Sequence, residues 1–179
     1  MTDGWDGILD DDEAILWQGR PDGALTFDTG NIFALIFGLF FAGFALFWMI
    51  MASQAGGVFW MFGLLHFFVG LAVAIGPTFY SAFRRRHTWY TLTNRRAFIA
   101  TDMPIRGRSL GSYPITRSTS MSLQEGPLDT LWFASTAKRT KNGTRTVKIG
   151  FERIEQGRDV LRMMRDIQEG RATKEAAHE

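Results

Sequence analysis

Three histidines, eighteen carboxylates and no cysteine are all that the chain offers for acid–base chemistry or metal binding. Their spacing does not assemble them. His66 stands alone in a long apolar run, His87 follows three arginines, and His178 lies in a polar tail, so no His–His or His–carboxylate set has the spacing of a metal centre or a proton-transferring pair. Without cysteine there are no disulfides, thiolate ligands or thiol nucleophile. We therefore expect no catalysis and no cofactor. Cations, by contrast, are concentrated in three places: Arg84, Arg85 and Arg86; Arg95 and Arg96; and Lys138, Arg139, Lys141 and Arg145. Guanidinium and ammonium groups gathered in this way hold phosphates or carboxylates. They suit a rim facing an anionic bilayer, each charge contributing about 1 kcal/mol, and equally a solvated flank with no ligand.

The elements that must position these groups differ sharply in composition. Asn31 to Phe83 contains no Asp, Glu, Lys or Arg and holds twelve of the sixteen Phe, so a mean hydropathy of -0.05 averages two unlike parts. Before that stretch eight acids face only Arg20, a net of −7; after it nineteen bases face ten acids, a net of +9. The basic part should seek anionic lipid or an acidic partner, and could pair with the chain's own acidic arm. An acidic start without a following apolar run argues against a cleavable signal peptide.

Within the uncharged stretch, residues 32–52 and 58–80 are each long enough to cross a hydrocarbon core of about 30 Å as helices. Each carries twelve Leu, Ile, Val or Phe. The five residues Ser53 to Gly57 between them make the helices antiparallel neighbours. Arg84 to Arg86 directly after the second run, against an uncharged connecting loop, predict both termini in the cytoplasm. Trp48 and Trp60 suit an outer aromatic belt. Ala34, Gly38 and Ala42 recur at spacing four in the first run, and Gly70 and Ala74 in the second. Such stripes allow close backbone approach, either within the hairpin or against another membrane protein. His66 is expected to bond across the helices, and Pro77 to kink or end the second one.

From His87 onward the pattern becomes short β-prone runs: 88–92, 97–101, 109–115, 118–124, 130–135 and 144–151, with turns at Thr93 to Arg96 and at Asn142-Gly143. Gln156 to Ile167 then places Val160, Leu161, Met164 and Ile167 on one helical face. The predicted organisation is an acidic arm (1–30), a two-helix hairpin (31–83), a mainly β cytoplasmic domain (84–168) and a polar tail (169–179). Its fold class is an α-helical membrane hairpin plus a mainly β domain, a small curved sheet or partly open barrel capped by the C-terminal helix.

Trp89-Tyr90-Thr91-Leu92-Thr93-Asn94-Arg95-Arg96, placed just after the hairpin, resembles the Tyr-x-Leu-Thr-Asn-x-Arg opening of the bacterial membrane-anchored pleckstrin-homology-like domains. Glu13 to Pro21 resembles that family's N-terminal box. The resemblance runs from Asp12 to Ile167 and implies a pleckstrin-homology-like split sheet held at the inner membrane face, without implying an activity. The Thr-Asn-x-Arg segment reads as a tight turn in which Asn94 bonds the backbone. The expected function is a non-enzymatic interaction or assembly module, such as an accessory subunit of an inner-membrane complex; the alternative is recognition of anionic lipid headgroups. Nucleic acid is not an expected partner, since no groove-reading motif is present. Ser135 to Thr140 is similar to the Ser-Thr-Arg-Thr phosphate loop of the transcarbamoylases, but Ala137 and Lys138 interrupt it and no helix follows, so a transferase is not expected.

Overall fold

A computed structural model describes residues 4–26, 31–104, 106–140 and 143–170. Two compact units emerge: Gly23–Arg84, and a second made of Met1–Asp22 together with Arg85–Glu179.

The first unit is the apolar stretch. Helix α1 spans Ile32–Gln54, a single 3-10 turn covers Phe59–Met61, and α2 spans Phe62–Arg86. Both helices are long and apolar enough to cross a membrane, and large side chains such as Phe33, Phe40 and Phe44 point outward. One expectation needs correction. The second helix does not end near residue 80; it runs through Pro77 to Arg86, because a proline removes only one backbone bond from a helix this long. The small-residue stripes face each other. A Cβ on Gly38 would lie 2.6 Å from the Gly70 carbonyl oxygen and 2.7 Å from the Ala74 Cα; one on Gly70 would lie 2.7 Å from the Ala42 nitrogen. Gly38, Gly70, Ala42 and Ala74 are thus consumed by packing inside the hairpin, while Ala34 remains half-buried.

The second unit contains two antiparallel sheets that do not close into a barrel. One has the order β1-β2-β3-β4, from Ile15–Gly19, Thr88–Thr93, Arg96–Met103 and Gly107–Pro114; the other is β5-β6-β7, from Ser122–Gln124, Asp129–Thr140 and Gly143–Ile154. Helix α3 (Gly157–Gln168) follows. Leu92, Leu131, Phe151, Val160 and Met164 are wholly buried in one core. The two sheets meet there: the Glu152 amide donates to the Tyr90 hydroxyl at 3.2 Å, and the Tyr90 and Phe151 rings lie 4.7 Å apart. Leu161, expected to be buried, is only half-buried, because the inward face of α3 runs through Val160, Met164 and Ile167.

The β region departs from its sequence reading in three places. β1 lies inside what reads as a separate acidic arm, yet it pairs with β2, Gly19 opposite Tyr90 and Gln18 opposite Thr91. The expected strand 118–124 shrinks to β5, because the Thr116 amide donates to the Thr119 hydroxyl and the Thr119 amide to the Thr116 carbonyl, both at 2.9 Å, closing a turn. The last two strands are each twelve residues long, well beyond their predicted limits.

Candidate functional site

Period two places Arg96 and Phe98 on the face of β3 opposite Ala97 and Ile99, hence away from the core. The N-terminal segment covers that outer face. Trp5 meets Phe98 edge-on at 5.3 Å, and the Arg96 guanidinium lies 5.1 Å from the same ring. Glu13, whose side chain is wholly buried, accepts from Arg96 Nη2 at 2.6 Å and Nε at 2.9 Å, and from the Thr93 hydroxyl at 2.6 Å. Burial would raise the Glu13 carboxyl. The hydrogen bonds from Arg96, Thr93 and the Asp10 amide, with the Arg96 charge, outweigh it and hold the pKa at about 2. Arg95 pairs with Asp12 and, at 3.4 Å, with Asp10.

Asn94, in the two-residue turn between β2 and β3, completes the latch. Its backbone amide donates to the Ala14 carbonyl at 3.0 Å; its side chain accepts from the Ala14 amide and donates to the Asp12 carbonyl, both at 3.1 Å. The backbone that Asn94 bonds lies 80 residues away. Arg95 and Arg96 are therefore partnered by the chain's own acids.

A second clamp brackets the apolar unit. Arg85 Nε donates to the Asp22 carbonyl at 2.9 Å, the Asp22 amide donates to the Arg153 carbonyl at 3.0 Å, and Arg153 Nη2 reaches the Asp22 carboxylate at 2.7 Å. Arg153 carries φ 53, the one positive value outside glycine among the described residues. Arg85 is buried and so belongs to this clamp; Arg84 and Arg86 are exposed and also make contacts.

The remaining expected cations lie on a two-stranded ribbon. β5 pairs with β6 only from Thr130 to Trp132, while β6 continues to Thr140 and pairs with β7 throughout, Lys138 opposite Arg145 and Ser135 opposite Lys148. Residues 135–140 and 143–148 are all exposed. Lys138, Arg139, Arg145 and Lys148 have no ion pair among the described residues, and no carboxylate lies on the ribbon. Two like charges directly opposite each other destabilise a strand pair, as does the lack of packing on either face. Lys141 lies outside the described residues.

Comparison with known protein families, curated proteins and solved structures finds no match. Among the described residues no group of three or more His, Asp or Glu is arranged to hold a metal ion. His66 does not bond across the helices: its Nδ1 lies 3.2 Å from the Phe62 carbonyl one turn earlier in α2, and its ring sits 5.1 Å from the Phe62 ring. The arrangement that remains suited to a ligand is the ribbon. Sequence reasoning found three of its cations by charge but missed Lys148, whose place beside Ser135 depends on strand register.

Proposed function

We propose that this chain is a non-enzymatic, membrane-anchored interaction module of the bacterial inner membrane. In this reading α1 and α2 form the bilayer-crossing hairpin, both termini are cytoplasmic, and the β unit is a pleckstrin-homology-like domain that engages an anionic partner within a larger assembly. The observation that carries it is the ribbon, where four cations without ion pairs among the described residues stand on strand segments that are exposed throughout. An internally useful charge would be paired, as Arg95, Arg96 and Arg153 are.

The topology has its own support. Residues 23–84 leave from Asp22 and return at Arg85, which hydrogen-bond to each other, and β1 on one side of that excursion pairs with β2 on the other. A chain that crosses a bilayer between two such residues must cross it an even number of times. The arginines after α2 then favour the cytoplasmic side. The two split sheets with a C-terminal helix on the core support the pleckstrin-homology-like reading.

The test is purification in mild detergent of the wild type and of a variant with Lys138, Arg139, Arg145 and Lys148 all changed to Gln, followed by mass spectrometry. A stoichiometric protein found with the wild type and lost from the variant supports the module. Retention by the variant would refute the ribbon as its working surface. The same cations also suit anionic headgroups; a wild type that runs alone yet binds vesicles containing phosphatidylglycerol, in a ribbon-dependent way, would favour lipid recognition.

A further inference from the structure

β6 is twelve residues long, but its neighbour β5 covers only Thr130 to Trp132. Beyond Trp132 that edge of β6 carries no strand among the described residues, so its outward amides and carbonyls face solvent where a sheet would offer partners. Where β5 stops, a cavity of about 360 Å³ opens between Ser120, Ser122, Trp132, Ala134, Ser135 and Lys148.

The charges flank this edge in a particular order. Cross-strand partners share a face, and faces alternate along a strand. Lys138 and Arg145 therefore lie on one face of the ribbon, and Arg139 and Lys148 on the other. A flat anionic surface meets one face at a time. A strand laid along the edge of β6 sends its own side chains alternately to both faces, so it is the ligand shape that meets all four cations.

Resting on the reading above that the ribbon is the working surface, we infer that β6 from Ala134 to Thr140 receives an extended acidic peptide segment of a partner protein by strand addition, prolonging the row that β5 begins. Main-chain hydrogen bonds supply the pairing, and acids on both faces of the added strand meet Lys138, Arg145, Arg139 and Lys148. One apolar side chain of the segment enters the cavity beside Trp132 and Ala134. The four cations also repel other basic edges, which limits the partners with which a long open strand can pair.

The experiment uses the full chain in phosphatidylcholine nanodiscs and a fluorescent nine-residue peptide alternating Glu with Val and Thr. A second peptide of identical sequence is N-methylated at alternate residues, so that it keeps the charge and loses the main-chain donors on one edge. The plain peptide should bind with an affinity that falls at least tenfold on N-methylation and at least tenfold on Lys138→Gln with Arg145→Gln. Binding should also slow hydrogen exchange at the amides of residues 134–140. Equal binding of both peptides would overturn strand addition while leaving the ribbon an anion-binding surface. Exchange protection produced only by nanodiscs containing phosphatidylglycerol, with no peptide binding, would overturn the inference in favour of headgroups. If neutralising all four cations changes neither peptide nor vesicle binding, the ribbon is not the working surface and both readings fail.

Discussion

Replacing Glu13 by Gln tests the latch that joins the N-terminal segment to the β unit. The wild-type carboxyl is held at about 2 against an ordinary 4.5. A difference of roughly 2.5 units at about 1.36 kcal/mol each corresponds to ~3 kcal/mol of stability from the ionised form. The side chain is wholly buried, so solvent screens little of this, although Gln retains some hydrogen bonding, which lowers the expected loss to about 2–3 kcal/mol. For a unit of this size that is on the order of 10 °C in Tm. The sign follows from the direction: a depressed folded-state pKa stabilises above the unfolded value of 4.5 and loses its effect as pH falls toward 2. Thermal unfolding of wild type and Glu13→Gln, followed by tryptophan fluorescence in detergent from pH 7 to pH 2, should show two curves that converge on acidification. A gap that persists unchanged down to pH 2, or that is absent at pH 7, would refute the reasoning.

Asn94→Ala removes two side-chain bonds to the N-terminal segment and leaves the Ala14 amide and Asp12 carbonyl unpaired; it should cost about 2–3 kcal/mol and make cleavage before Ile15 faster in limited proteolysis. Gly38→Val places side-chain atoms against the backbone of Gly70 and Ala74; the helices should separate or shift at a cost of about 1–3 kcal/mol, visible as a lost disulfide when cysteines are placed at facing positions. Met164→Asp buries a carboxylate in a wholly enclosed site and should unfold the β unit, its penalty being several kcal/mol, whereas Arg162→Asp on the exposed side of α3 should leave circular dichroism unchanged.

Composition alone determined the large division of this chain. Fifty-odd residues without a charge admit long apolar helices and little else, because each stretch satisfies its own backbone bonds and the signal is local. The same locality made α3 and the 88–92 and 97–101 hairpin legible, since period 3.6 and period 2 are properties of neighbouring residues. The charge asymmetry also hinted that the acidic arm would meet basic residues. The sequence could not say which ones, because opposite charges carry no address. Tertiary structure alone assigned Arg95 and Arg96 to Asp10, Asp12 and Glu13, and Arg153 and Arg85 to Asp22. It also made the turn residue Asn94 the tie to the segment before β1, and closed Gly38 onto Gly70 and Ala74. Only by accounting for these pairs does the ribbon stand out. Lys138, Arg139, Arg145 and Lys148 resemble every other basic residue in the sequence, and what sets them apart is that strand pairing gathers all four on one ribbon that carries no carboxylate.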